Sequence, residues 1–181
     1  MKATGIVRRI DDLGRIVIPK EIRRTMRIRE GDPLEIFTSK DGEVIFKKYS
    51  PIGELGEFAT EYVESLSKTS GYAVAITDKD TVIAISGAPK REFTDKRVSG
   101  ELERIMQDKA TFIMNVNTQN TPILDGCEKF VAGVIAPIIS EGDSIGSVVM
   151  INMADNIRDM GETETKLAQS AAGFLGRHMQ Q

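Results

Sequence analysis

The feature that most constrains the fold is a change of rhythm at Ser50-Pro51. Ahead of that point every apolar run is short and ends in a turn former: Gly14, Pro19, Gly31-Asp32-Pro33 or Asp41-Gly42. Ile6 to Ile10 and Arg15 to Ile18 read as two strands joined by Asp-Asp-Leu-Gly, with Gly14 free to take the positive φ of a tight turn. Pro19 ends the second strand and suits the first position of a helix of about two turns, marginal on its own. Ile22 and Met26 share one face of that helix, away from Arg23, Arg24 and Arg27. Leu34 to Phe37 and Glu43 to Lys47 form a hairpin, and Asp41-Gly42 signals a two-residue type I′ turn between them. Residues 1–50 are therefore expected to be β-β-α-β-β. Strands this short bury too little apolar surface to be stable alone and leave unpaired edges. Either two copies interleave to complete one core, or the rest of the chain covers it.

After Pro51 the periods lengthen. Ile52, Leu55, Ala59, Tyr62 and Leu66 alternate spacings of three and four, the seam of a helix that packs on another helix or on the chain's own sheet. Tyr72 to Thr77 and Thr81 to Ser86 then read as a hairpin, and Val98, Leu102, Ile105 and Met106 as a middle helix. Thr111 to Val116, Val131 to Ile139 and Ser144 to Met153 supply three strands. Thr163 to His178 forms a closing helix with Leu167, Ala171, Phe174 and Leu175 inward. The order α-β-β-α-β-β-β-α describes an α+β domain with helices on a sheet.

Charge separates the two parts. Residues 1–50 hold 12 Lys+Arg against 8 Asp+Glu, while the whole chain is at −3, so the first part is at +4 and the remainder at −7. The basic part is the anion-binding candidate. No apolar run approaches the roughly 18 residues of a membrane span, and no signal peptide opens the chain, so a cytoplasmic protein without membrane contact is expected. The single Cys127 excludes an internal disulfide and a cysteine-only zinc site; neither a metal nor a cofactor is expected.

The stretch Val7-Arg-Arg-Ile-Asp-Asp-Leu-Gly-Arg-Ile-Val-Ile-Pro-Lys-Glu-Ile-Arg-Arg24 carries five arginines, and with it residues 1–49 closely resemble the AbrB family of bacterial transition-state regulators. The resemblance implies a swapped-hairpin dimer over residues 1–50 and DNA contacts at Arg8, Arg15, Arg23 and Arg24. Residues 51–181 resemble a GAF domain in element order and length, which implies a sensor and oligomerisation unit, with residues 51–67 as a linking helix. The Asn-Lys-Xaa-Asp type motif of cyclic-nucleotide-binding GAF domains is absent, which speaks against that ligand. Carried over to role, the resemblance implies a sequence-tolerant regulator of double-stranded DNA in the developing spore. It would activate and repress sporulation genes, self-associate as a dimer and a tetramer, and answer to an unidentified small-molecule effector.

Arginine suits such a reader because its planar fork grips a phosphate or the O6 and N7 edge of guanine, which lysine cannot do. The competing reading of each arginine is a solvated charge or an ion pair with Asp11, Asp12 or Glu21. Arg9, Arg27 and Lys2 are further candidates for phosphate contact. Two other function classes compete. Some swapped-hairpin proteins are antitoxins, but those end in a disordered acidic tail, whereas this C-terminal half is patterned for strands and helices. A GAF-type redox enzyme would use Cys127 with His178 as its base, yet nothing nearby lowers the thiol pKa or orients the base, and no enzyme is expected. Asn115, Asn117, Gln119 and Asn120 form a polar loop that could line a ligand pocket.

Overall fold

In the computed structural model, residues 5–94, 96–115 and 120–180 are described. They divide into two compact units, Met1–Tyr49 and Ser50–Gln181.

The first unit holds helix α1 (Lys20–Thr25) and an antiparallel hairpin of β1 (Leu34–Thr38) and β2 (Val44–Lys48), in register from Leu34 opposite Lys48 to Thr38 opposite Val44. The turn expected at residues 11–14 is present. Gly14 has φ 75°, its N–H donates to the Asp11 carbonyl at 3.1 Å, and the Asp11 N–H donates to the Arg15 carbonyl at 3.0 Å. The strands expected on either side of it are not. Residues 6–10 and 15–18 form no ladder, because a strand needs a neighbour for its N–H and C=O groups and none lies beside them among the described residues. Val7 and Val17 are left 87% and 70% exposed. Pro19 is the residue before α1 rather than its first member. The β1–β2 turn also differs from expectation, since only Gly42 takes a positive φ (82°). Its N–H closes on the Ser39 carbonyl at 3.2 Å, giving a four-residue turn in which Ser39 Oγ accepts the Glu43 N–H.

The second unit is a six-stranded antiparallel sheet between two helical layers. A 3₁₀ turn (Ile52–Leu55) runs into α2 (Gly56–Ser70), with Ser50 Oγ accepting the Gly53 N–H at 3.1 Å and Gly71 ending α2 in the left-handed region. The strands are β3 (Ala73–Asp78), β4 (Val82–Ser86), β5 (Phe112–Ile113), β6 (Pro122–Leu124), β7 (Cys127–Ser140) and β8 (Asp143–Met153). Their order is β4-β3-β8-β7-β5, with β6 also on β7. Strand β6 was missed in the sequence because three residues beginning with proline carry no alternation. The type I′ turn lies between β7 and β8, where Glu141 and Gly142 have φ 50° and 86° and Ser140 pairs with Asp143.

Helix α2 and the closing helix α4 (Glu162–His178) cover one sheet face, with Ile52, Ala59, Val63, Leu66, Ala171 and Leu175 buried among Val74, Ile76, Val134 and Met150. The middle helix α3 (Gly100–Asp108) lies on the other face, where Leu102 and Met106 meet Phe93, Phe130, Ile135 and Val149. Ser99 caps α3 by accepting the Leu102 N–H at 3.1 Å and donates to the Pro122 carbonyl at 2.6 Å, so one hydroxyl fixes the helix start to β6. Phe174, expected inward, is 42% exposed. Its ring stacks on Tyr62 at 5.8 Å and lies 6.0 Å from both Phe58 and His178. Mid-strand Pro137 faces Ser147 in the register. Gly133, four residues earlier, accepts the Met114 N–H with its carbonyl, so Pro137 turns its nitrogen to the same outer edge, beyond the end of β5 pairing at Ile135.

Candidate nucleic-acid interface

Within the first unit the four predicted arginines sit on two scaffolds. Arg8 and Arg15 flank the 11–14 turn. Asp11 Oδ1 accepts the backbone N–H groups of Leu13 at 3.0 Å and Arg15 at 2.6 Å, so this carboxylate holds the turn instead of pairing with a guanidinium. Arg23 and Arg24 occupy the last turn of α1, where the Arg23 N–H reaches the Pro19 carbonyl at 2.9 Å. Cations at a helix C-terminus are mildly favoured by the backbone dipole.

All four arginines are exposed. Among the described residues no ion pair joins any of them to Asp11, Asp12 or Glu21. Their charges are displayed to solvent. Arg9 is exposed too, whereas Arg27 is half-buried with φ 51°, a conformation that serves the exit from α1. Lys2 lies outside the described residues. Lys48 is structural: its Nζ donates to the Arg27 carbonyl at 2.9 Å and stands 3.7 Å from Asp32, tying that exit to β2.

The second unit offers different chemistry. Asn115 and Asn120 line a partly open cavity of about 200 Å³ with Met114, Gly133, Asn152 and residues 157–160. Asn117 and Gln119 lie outside the described residues. Sequence reasoning missed Asn152, whose side chain clasps the Arg158 backbone, donating to its carbonyl at 3.0 Å and accepting its N–H at 3.2 Å. An asparagine inside the apolar alternation of β8 was the available signal. The Arg158 guanidinium lies 3.8 Å from the centre of the Tyr72 ring and donates to the Gly71 carbonyl at 3.1 Å. Cys127 and His178 are not brought together. Cys127 packs on the α3 side of the sheet, and His178 stacks on Phe58 at 5.7 Å on the α2–α4 side. No group of three or more potential metal ligands occurs among the described residues, and none of the described helices is long and apolar enough to cross a membrane.

Comparison with known proteins places both units. Residues 54–180 match the family described as stage V sporulation protein T C-terminal, transcription factor, and residues 7–53 match the MazE antidote-toxin recognition family of bacterial antitoxins. Stage V sporulation protein T of Bacillus subtilis is 51% identical over 182 residues, covering 100% of both chains. The transition state regulatory protein AbrB of the same organism is 59% identical over 51 residues, 28% of this chain and 52% of that one. In fold, the second unit is similar to the GAF domain of an Acinetobacter phosphoenolpyruvate-protein phosphotransferase, with 12% identity, 69% of this chain and 81% of that chain covered, and a TM-score of 0.54. An AbrB-like first unit, a GAF-like second unit and full-length similarity make the chain a member of the stage V sporulation protein T family of transcription factors.

Proposed function

We infer that this protein regulates sporulation genes by binding double-stranded DNA through Arg8, Arg15, Arg23 and Arg24, presented twice by a dimer of residues 1–50. The carrying observation is that all four side chains are exposed and unpaired with Asp11, Asp12 or Glu21 on a unit 59% identical to AbrB. Guanidinium groups on phosphates release counterions and supply most of the affinity. Those reaching guanine edges add sequence preference. With few other base-reading side chains, the rest of the selectivity comes from DNA shape, so the operator is degenerate and A/T-tolerant and the same protein activates some genes and represses others.

The dimer is supported by the unpaired segments around Val7 and Val17, which a second copy would supply with strand neighbours. Residues 51–181 act as the sensing and oligomerising domain, with residues 51–67 as the link. The aromatic ladder of Phe58, Tyr62, Phe174 and His178 is the contact that brings dimers together as tetramers. The protein works in the cytoplasm of the developing spore. The MazE match reflects the shared first unit, and the folded second unit stands where an antitoxin's tail would be.

Selection of bound fragments from a random DNA pool tests the reading. Enrichment of a degenerate A/T-containing site is expected, and a pool that emerges unchanged would remove the DNA-binding role.

A further inference from the structure

The 11–14 turn closes on itself through one residue. The Asp11 N–H donates to the Arg15 carbonyl at 3.0 Å, and the Asp11 carbonyl accepts the Gly14 N–H at 3.1 Å. With that carbonyl engaged by Gly14, the return bond from Arg15 goes to the side chain: Oδ1 accepts the Arg15 N–H at 2.6 Å and the Leu13 N–H at 3.0 Å. Both backbone polar groups of Arg15 are therefore held by Asp11. This ring of hydrogen bonds sets the direction in which the Arg15 side chain leaves the backbone.

The charge of Asp11 has no matching use. The residue is exposed and lies within four positions of Arg8, Arg9 and Arg15, yet among the described residues no ion pair joins it to any of them. Against DNA it is repelled by the same phosphates that those guanidinium groups attract. The turn draws only on the lone pairs of Oδ1, which an uncharged amide oxygen also offers. Asn shares with Asp the habit of bonding its own backbone two residues on.

We propose that Asp11 is a positioning residue for DNA recognition: it acts through Arg15, as a hydrogen-bond acceptor, and its negative charge opposes binding. The proposal rests on the DNA-binding reading of residues 1–50 and adds to that same site a residue that works by placing another. Asp12 supplies the internal contrast. It is an adjacent, exposed carboxylate that stands outside this ring of hydrogen bonds.

The test uses the full chain and the duplex most enriched by selection from a random pool, read by fluorescence anisotropy with circular dichroism to check folding. D11A is expected to weaken binding about tenfold. D11E, which keeps the charge and displaces the oxygen, should weaken it too, and serves alone if D11A does not fold. D11N and D12A each remove one negative charge and leave an acceptor at residue 11, so both should bind as tightly as the unaltered chain or more tightly. Coupling locates the effect. In an R15A background D11A or D11E should cost less than about twofold, because the side chain it places is gone, whereas in R23A, on the separate scaffold of α1, it should cost its full factor. D11N weakening as D11A does would assign the role to the charge, and equal losses in the R15A and R23A backgrounds would mean a general loosening of the unit; either result overturns the proposal. R15A weakened while D11A and D11E bind normally removes the positioning role alone. R15A binding like the unaltered chain, or a pool that yields no duplex, removes the DNA-binding reading of this arginine and the proposal with it.

Discussion

Gly176 on α4 lies so close to Ile139 on β7 that a Cβ added to the glycine would stand 2.1 Å from the Ile139 carbonyl oxygen. The helix is seated against backbone, not against a side chain that could swing away. Gly176→Ala is therefore expected to destabilise the protein by about 1–3 kcal/mol through overpacking. Gly173, three residues earlier, has nothing within 4 Å of such a Cβ, and Gly173→Ala should stabilise by about 0.5–1 kcal/mol through helix propensity. Denaturant unfolding of the two variants gives opposite signs if α4 packs as described.

The buried hydroxyls of Thr77 and Ser147 hydrogen-bond at 2.8 Å between neighbouring strands. Thr77→Val strands the serine and should cost about 1–3 kcal/mol. Adding Ser147→Ala should recover part of that loss, because both partners are then gone. A double-mutant cycle in urea that shows simple additivity would deny the coupling.

At the β7–β8 turn, Glu141 holds a positive φ that glycine or asparagine adopts with less strain. Glu141→Asn should raise stability by about 0.4–1 kcal/mol. An unchanged or lowered Tm would count against the type I′ assignment.

How much of this was legible beforehand differs by region. The helices and most strands of the second unit were readable: Leu102 and Met106 declare a buried helix face by spacing, and the long apolar runs of β7 and β8 suit strands covered on both faces, whereas the short β6 left no such signal. The outward turn of Phe174 was not readable, since an aromatic residue at helical spacing looks the same whether sheet or another ring receives it. Asp41-Gly42 misled, because dipeptide identity does not show whether the first residue follows the second into positive φ. The arginines were visible as a cluster, but their freedom from Asp11 required the turn geometry in which that carboxylate is spent on backbone N–H groups. The cavity was half legible. Asn115 and Asn120 stood out in a polar loop, whereas Arg158 and Asn152 are far from them in sequence and meet only through the sheet.

For DNA recognition, alanine at Arg8, Arg15, Arg23 or Arg24 should weaken binding without unfolding the chain, since all four are exposed. Variants that lose a phosphate contact should flatten the dependence of log affinity on log salt. Those that lose a guanine contact should cost about 1–3 kcal/mol and relax preference. Fluorescence anisotropy over a salt series separates the two groups, and four folded variants with wild-type affinity would dismiss this arginine set. Removing residues 51–181 should leave a weaker binder rather than an inert one.

Sedimentation at micromolar concentration should show a tetramer for the full chain. Phe174→Ser, which removes the central ring of the aromatic ladder, should leave dimers. A folded monomer of the unaltered chain would dismiss both levels of assembly.

Pro137 carries one more consequence. Among the described residues no strand lies beside the outer border of β7 past Ile135, and a foreign segment laying itself along that border would look for N–H groups at alternate positions. At residue 137 it would find a ring carbon instead of a donor. The sheet is thus closed to growth on that side, and the chain is spared one route to fibrous self-addition.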